Sequence, residues 1–429
     1  TIARCSSDHG VKIYLIGNCV YMDEVMDENL ISEPKFIDPY PRSGHIAVAN
    51  GEFLLIWGGY QENPDFNEVY IPAREVHVYH TEFKYWLKIK TSGVILPGLS
   101  GAGGYLVNRK LYVFAGSSAN GNVNTLYQLD LTTWIWSMVP VTEPLPSPRD
   151  KFAYWSYNNK LYCFGGFGIP LYDYLNGNGI FVQDDTDPAS FHQVVRGWNN
   201  QLLIFDLDSN TWSNPKCQGP VPLPRAAHAA CRFGHKVYMF GGRYKDQRMN
   251  DLHCLDLESL TWSGDIYGQG EVPCGRSWHS FTAVSHKCAF LYGGFTSNRE
   301  PLSDAWLFDI SVIQWTKLNV PSNQPRLWHT CSYSNSEVIV YGGCSNNILD
   351  YREPTIHRKD VIVLQVQPHS LVRLCLEAVY DNRERTQQEW IYLPYPLLTW
   401  LELKLKFVQV MQTIHSSRRH SQVATCSVS

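Results

Sequence analysis

The sequence predicts an all-β protein built as a propeller of six repeated sheets, followed by a short helical segment. Three observations lead to this prediction: a motif that recurs six times, a spacing of roughly 50 residues between most of its copies, and a change of pattern after Pro368. The composition agrees, because abundant tryptophan (14), tyrosine (25) and glycine (31) are typical of β-proteins with many tight turns.

The repeated motif is a hydrophobic run that ends in two small residues. The run predicts a buried strand, and the small pair permits a close approach of backbones where Cβ atoms would clash. Only the second copy departs from Gly-Gly, with Ala115 in place of the first glycine. The six copies are LLIWGG (54–59), LYVFAG (111–116), LYCFGG (161–166), VYMFGG (237–242), AFLYGG (289–294) and VIVYGG (338–343).

Two further elements accompany the motif. An Arg-x-x-His sequence precedes four copies, and the third copy keeps Arg149 but has Phe152. A second β run, usually ending in tryptophan, follows the glycine pairs, as in 202–212 and 252–262. We interpret these residues as packing between sheets and as anchors for loops. The Arg-x-x-His pairs are Arg42/His45, Arg225/His228, Arg276/His279 and Arg326/His329.

The sixth copy continues with 360–367 but lacks the strand that ends in tryptophan. A closed ring needs that strand from elsewhere, and 33–39 is the candidate. We therefore divide the chain into an N-terminal segment (1–40), a propeller (41–367), two helices (368–404) and a tail (405–429). The third copy contains an insertion of 35 residues after Gly166, which predicts a loop on one face, often the binding face.

Equivalent positions of the repeats reveal the unusual residues. After the small pair stand Tyr60, Ser117, Phe167, Arg243, Phe295 and Cys344, so only one copy has a cation. Two residues after the repeated arginine stand Gly44, Lys151, Ala227, Trp278 and Trp328. These positions converge near the mouth of a propeller channel. The unusual set is Arg243, Arg248, Lys151, Ser277, Trp278 and Trp198.

This set predicts a small cup with cations, aromatic walls and a hydroxyl group. Such a cup suits an anionic group on a slim attachment, and a peptide C-terminus that ends in glycine is one such ligand. The alternative is that Arg243 forms an ion pair with Asp246 or Asp251 within its own turn.

The pattern beyond Pro368 predicts two helices. Residues 370–379 place Leu371, Cys375 and Val379 on one face, and Ser370 is a suitable N-cap. In the second helix, Leu393, Leu397 and Leu401 share a face, and Pro394 suits the first turn. The alternative is that both helices simply pack beneath the propeller. The first resembles the box by which substrate receptors bind Elongin C, and the second resembles the cullin-2 box.

The repeats and the helical segment resemble the kelch-domain substrate receptors of cullin-2 RING ubiquitin ligases that recognise C-terminal glycine degrons. The resemblance is most detailed in RSGH (42–45), RGWN (196–199), FGGRYKDQRMNDLH (240–253) and GRSWHS (275–280). The resemblance implies partners: Elongin B/C, cullin-2 with its RING subunit, and substrates ending in glycine. It also implies that Arg243, Arg248 and Ser277 hold the terminal carboxylate, flanked by Lys151, Trp198 and Trp278. A family tyrosine is retained as Tyr60, and another is Phe167 here.

Other classes of function receive less support from the sequence. A net charge of −4 with 18% charged residues argues against binding of nucleic acid, and no apolar run is long enough to span a membrane. The histidines are spread one to a repeat, so we expect no cofactor, no metal site and no catalysis. Cysteines within predicted strands indicate reduced thiols in the cytoplasm or nucleus. A kelch scaffold that binds a transcription factor or a cytoskeletal protein, without a ligase, remains an alternative.

Overall fold

The computed structural model describes residues 14–16, 19–21, 39–63, 65, 67–170, 178–187, 195–320, 324–350 and 352–409. The chain divides into two compact units. The first comprises Thr1–Thr81 and Tyr85–Val366, and the second comprises Glu82–Lys84 and Gln367–Ser429. A short antiparallel hairpin, Tyr14–Ile16 with Cys19–Tyr21, precedes the repeats.

Six of the antiparallel sheets in the described part of the first unit repeat along the chain, and they are numbered here as blades 1 to 6 in chain order. Each blade runs from an innermost to an outermost strand, and blade 2 gains a parallel strand, Ser92–Gly93, at its outer edge. Blade 1 consists of Ile46–Asn50, Phe53–Trp57, Glu75–His80 and Tyr85–Lys90. Blade 2 consists of Gly103–Val107, Lys110–Ser118, Gly121–Asp130 and Ile135–Met138. Blade 3 consists of Ala153–Tyr157, Lys160–Phe164, Leu202–Asp206 and Thr211–Ser213.

Blades 4 and 5 also have four strands, whereas blade 6 has three strands within the described residues. The outer strand that we expect from 33–39 cannot be located, because 33–38 lie outside the described residues. Blade 4 consists of Ala229–Phe233, Lys236–Phe240, Leu252–Asp256 and Thr261–Trp262. Blade 5 consists of Ser280–Ala283, Cys288–Phe295, Pro301–Asp309 and Gln314–Leu318. Blade 6 consists of Thr330–Ser334, Glu337–Tyr341 and Val361–Gln365.

A circle of backbone hydrogen bonds closes the propeller around its axis. Six residues, one before each innermost strand, donate their N–H to the carbonyl of the equivalent residue in the preceding blade, over 2.7–3.0 Å. The bond from Gly44 to Trp328 joins blade 1 to blade 6, so the predicted six-bladed fold is confirmed. All six have φ between 53° and 66°. We call them the axial ring: Gly44, Gly101, Lys151, Ala227, Trp278 and Trp328.

The repeated arginines anchor loops, as the sequence indicates. Arg276 is fully buried, and its Nη1 donates to the carbonyl of Gly293, the first glycine of the pair, over 3.0 Å. Its guanidinium also donates to both carboxylate oxygens of Asp304. Because that charge is neutralised by a partner in the same blade, the arginine can be buried without a large penalty.

The repeated tryptophans pack one blade against the next. The ring of Trp262 lies 4.7 Å from that of Phe164 in the preceding blade, and Trp315 lies 5.0 Å from Phe240 in the same way. Trp86 of blade 1 lies 4.8 Å from Tyr341 of blade 6. The contact therefore recurs at the point where the circle closes.

The repeated histidines make stability sensitive to acid. Burial and the nearby charge of Arg326 lower the pKa of His329 to about 3, whereas a histidine in an unfolded chain has a pKa of about 6.5. Between these values the unfolded state binds the extra proton, so stability falls as the pH falls. His329 contributes up to about 1.4 kcal/mol per pH unit to this slope.

We expect His329→Gln to reduce the slope of the free energy of unfolding against pH, between pH 6 and pH 4, by up to about 1.4 kcal/mol per pH unit. Urea denaturation at each pH measures it. The exposed His286→Gln is the matched control. An unchanged slope in His329→Gln would show that this imidazole is not held neutral in the folded protein.

The second unit is helical. An α-helix, Leu371–Asp381, begins at Ser370, whose hydroxyl accepts the N–H of Arg373 over 3.2 Å, as predicted for an N-cap. A short α-helix, Arg383–Thr386, and a 3-10 helix, Gln387–Tyr392, follow, and residues 395–409 form another helix. The carbonyl of Pro394 accepts the first bonds of that helix, from Leu397 and Leu398. None of the helices that the structure describes could cross a membrane.

Candidate functional site at the axial ring

The site begins at a two-stranded hairpin in blade 4. Gly241 and Gly242, with φ of 65° and 101°, turn the chain after the second strand of the blade. Arg243–Tyr244 then pairs with Gln247–Arg248, so the two arginines lie directly opposite each other. The N–H of Arg243 also donates to the carbonyl of Ala226 over 2.7 Å. The hairpin therefore holds two cations side by side next to the axial ring.

Arg248 is buried, with 9% of its surface exposed. Its Nε donates to the hydroxyl oxygen of Ser277 over 3.1 Å, and its guanidinium lies 4.8 Å from the ring centre of Phe295. Its Nη2 is buried and has no hydrogen-bond partner. A buried donor of this kind is costly unless it finds an acceptor, so Nη2 can still bind one.

No carboxylate within the described part of the chain forms an ion pair with Arg243 or Arg248, at a limit of 4.0 Å. Asp251, one proposed local partner, is bound by Arg225 and His253 instead. Asp246, the other, forms no ion pair with Arg243 either; the Nε of Arg243 donates to the carbonyl of Lys245 over 2.7 Å. The local ion pair considered as the alternative is therefore not formed.

The electrostatics of Arg248 reflect this lack of a partner. Burial, followed by the charges of Arg243 and Arg299, lowers its pKa to about 10, against a smaller opposing effect of Asp246. The charged form is thus destabilised at this position, although it still dominates at neutral pH. An anion placed here would relieve that destabilisation, because it would supply the missing opposite charge.

One wall of the site comes from the insertion in blade 3. Its strand Gly197–Asn199 pairs with Phe167–Gly168 in a sheet with Arg149–Asp150 and Phe181–Gln183. The ring of Trp198 is buried, meets that of Phe167 edge-on at 5.3 Å, and lies 5.6 Å from the guanidinium of Arg243. The insertion therefore brings an aromatic ring next to Arg243.

The other wall consists of axial-ring residues. Trp278 and Trp328 stack with their ring centres 5.7 Å apart at 28°, and the Nζ of Lys151 lies 5.1 Å from the ring of Trp328. Tyr60 meets Trp328 at 5.4 Å. A Cβ at Gly44 would lie 2.8 Å from Trp328, so the glycine leaves room for this indole.

The predicted residues thus form two groups joined by the neighbours Ser277 and Trp278. Trp328 lies at the centre of the second group, yet the set of candidate residues omits it. Its signal was present in the sequence, because Trp328 occupies in blade 6 the position of Trp278 in blade 5. The first group is Arg243, Arg248, Ser277, Trp198 and Phe167; the second is Lys151, Trp278 and Tyr60.

A channel of about 510 Å³ runs through the first unit, and its lining includes the axial ring. Of the eight predicted site residues, only Lys151 and Trp278 line it. Four repeated histidines and several alanines provide much of the remaining wall. This channel is therefore not the place where the two arginines converge, and we assign the site to the blade 4 hairpin and the part of the axial ring beside it.

Asp251, His253 and Asp265 could in principle bind a metal ion, since one ligand atom from each lies within 4.8 Å of the others. Both oxygens of Asp251, however, already accept hydrogen bonds from Arg225 at 2.7 and 2.8 Å. A cation would have to displace the arginine that anchors this blade. The group therefore serves the fold, in the same way as Asp304 serves Arg276.

The closed ring of six motif-bearing blades defines a kelch-type β-propeller protein, and its candidate site combines the arginines of blade 4 with residues of neighbouring blades. Residues 44–187 and 192–345 match the model of the KLHDC2/KLHL20/DRC7 Kelch-repeats domain. The chain belongs to this family.

Similar proteins agree with this assignment. Kelch domain-containing protein 2 of Bos taurus is 42% identical over 370 residues, covering 84% of this chain and 89% of that protein. Kelch domain-containing protein 1 of Homo sapiens is 39% identical over 374 residues, covering 85% and 90%. A solved structure titled "Structure of YjhT" has a TM-score of 0.54 at 18% identity, covering 76% of this chain and 95% of that one, which supports the fold alone.

Proposed function

We propose that this protein is the substrate-recognition subunit of a cullin-2 RING ubiquitin ligase and binds proteins that end in glycine. It performs no catalysis itself and directs the bound substrate to ubiquitination and degradation, in the cytoplasm or nucleus. One observation carries the proposal: Arg248 is buried beside Arg243, with no carboxylate partner among the described residues and with a free Nη2.

The chemistry of the site suits a carboxylate. A guanidinium presents parallel N–H donors that match the two oxygens of a carboxylate, and two such groups lie opposite each other here. Ser277 accepts a bond from Arg248 through its oxygen, so its own O–H proton is free to donate to the ligand. A chain terminus is the carboxylate that every protein substrate possesses.

Selectivity for glycine would come from the aromatic walls. Trp198 of blade 3 lies against Arg243, and Trp278 of blade 5 contacts Phe295, the ring beside Arg248. A side chain on the last residue of the ligand would then have to displace an indole. Such discrimination acts by exclusion. Phe167 packs on Trp198 but offers no hydroxyl group, so any preference upstream of the last residue would depend on packing at this position.

The tail helices supply surfaces for the ligase partners. On the first helix, Leu371 is 79% exposed and Cys375 is also exposed, while Leu376 and Tyr380 pack inward. Val379 is half-buried at the edge of that packing. An apolar face left open on a helix fits the proposed Elongin contact, since exposed leucines in a row are costly in water.

The proposed cullin contact is more restricted. Leu401 is fully buried among the tail's own residues, and Leu393 and Leu397 are half-buried in the same cluster. In this arrangement Leu401 would support the helix, and only Pro394 of the four residues is fully open to a partner. The interface with cullin-2 stays a prediction.

We expect a series of peptides that differ only in the last residue to separate glycine from all others. Ten-residue free-acid peptides ending in Gly-Gly, Gly-Ala or Gly-Leu would be titrated by fluorescence anisotropy. The alanine peptide should bind at least about tenfold more weakly, because its Cβ meets an indole, and the leucine peptide should not bind. Equal affinity for all three would contradict the proposed recognition of a terminal glycine.

A further inference from the structure

Asp150 occupies in blade 3 the position that Ser277 occupies in blade 5. Each directly follows the buried arginine of its blade, and each pairs with the residue after the glycine pair. For Asp150 the paired residue is Phe167, and for Ser277 it is Phe295. Ser277 contacts Arg248 in the candidate site, so the equivalent position in blade 3 is a natural place for a second contact.

Blade 4, between these two, has only a methyl group at the equivalent position. Its Ala226 pairs with Arg243. The axial ring continues through Ala227, which donates to Lys151 over 2.7 Å and accepts from Trp278 over 2.8 Å. The two alanines therefore place only methyl groups between Asp150 and Lys151 on one side and Ser277 and Trp278 on the other.

The carboxylate of Asp150 is only half satisfied. Its Oδ2 accepts a hydrogen bond from Lys151, whereas its Oδ1 is buried without a hydrogen-bond partner. The residue is 1% exposed. A buried acceptor without a donor is costly, and a carboxylate near a site for an anion adds repulsion. A hydrogen-bond donor on the same ligand would satisfy Oδ1 and offset part of the repulsion.

We propose that Asp150 accepts, through Oδ1, a backbone N–H from one of the last two residues of the bound peptide. The site would then recognise a donor as well as the terminal carboxylate, which a free fatty acid or an acidic side chain does not provide. This inference rests on the proposed function. The Lys151 side chain is 22% exposed and flexible, so it can move aside to admit the ligand.

The test replaces single N–H groups of the ligand. Two depsipeptides would each carry an ester oxygen in place of the N–H of the last or of the second-last peptide bond, in a free-acid peptide ending in Gly-Gly. Calorimetry with the wild-type protein should show that one ester binds at least about tenfold more weakly than the parent free-acid peptide, in which all peptide bonds are intact. In Asp150→Ala, the affinities of that ester and of the parent free-acid peptide should lie within about twofold of each other.

Ser100→Ala, at the equivalent position of blade 2, is the matched control and should keep the full difference. Asp150→Val also lacks an acceptor and takes its place if the alanine variant does not fold. The inference is overturned if both esters bind the wild-type protein as tightly as the parent free-acid peptide, or if the loss persists in Asp150→Ala. If the parent free-acid peptide does not bind the wild-type protein, the proposed function fails instead.

Discussion

Arg248→Ala is expected to weaken the binding of a free-acid peptide ending in glycine by about 30-fold to several thousand-fold, which corresponds to about 2 to 5 kcal/mol. The loss is large because the bond from Arg248 to the carboxylate is charge-assisted and buried, and because its removal leaves the ligand's charge with one cation fewer. Isothermal titration of one peptide into both proteins measures the change.

The matched control is Arg232→Ala, in the same blade. The guanidinium of Arg232 lies over Tyr157 and donates to the carbonyl of Gly234, away from the arginine pair. This variant should keep the wild-type affinity. If Arg248→Ala also binds as tightly as the wild-type protein while folding normally, the two arginines do not hold the ligand.

Leu371→Ala should abolish or weaken about 30-fold the binding of Elongin B/C, since a buried leucine anchor at an interface often contributes about 2 kcal/mol or more. The propeller should be unaffected, because the side chain is 79% exposed in the free protein and surface truncations change stability by about 0.5 kcal/mol or less. Co-purification from cells that express Elongin B and C measures the loss.

Val372→Ala is the matched control on the same helix. Val372 is 57% exposed and lies outside the face formed by Leu371, Cys375 and Val379. Elongin should stay bound to it. Undiminished capture of Elongin C by Leu371→Ala would rule out this helix as the contact and favour the non-ligase scaffold.

The fold could be predicted from the sequence because each repeat serves as a control for the others. The residues shared by the copies turned out to be structural: Arg276 anchors a loop and Trp262 packs on the preceding blade. Residues that differ among copies, such as Arg243, indicate the candidate site. Equivalent positions in a ring lie at equivalent places, so a comparison of the copies is enough to find such residues.

Features that depend on side-chain pairing were beyond the sequence. The position of Asp150 was visible, but its unpaired oxygen was not, since that depends on where Lys151 points. Likewise, the leucine spacing of the second tail helix predicts one apolar face without saying what covers it. The structure places Leu401 of that face in the tail's own core. Helical periodicity predicts which residues share a face, whereas tertiary packing determines whether that face is buried within the protein or exposed to a partner.

We propose that the paired arginines bind a chain-terminal carboxylate. Titration of one glycine-ending peptide as the free acid and as the C-terminal amide tests it most directly, because the two ligands differ only in the charged group. We expect binding of the acid and at least about a 30-fold loss, up to no detectable binding, for the amide. Equal affinity for the acid and the amide would contradict the account.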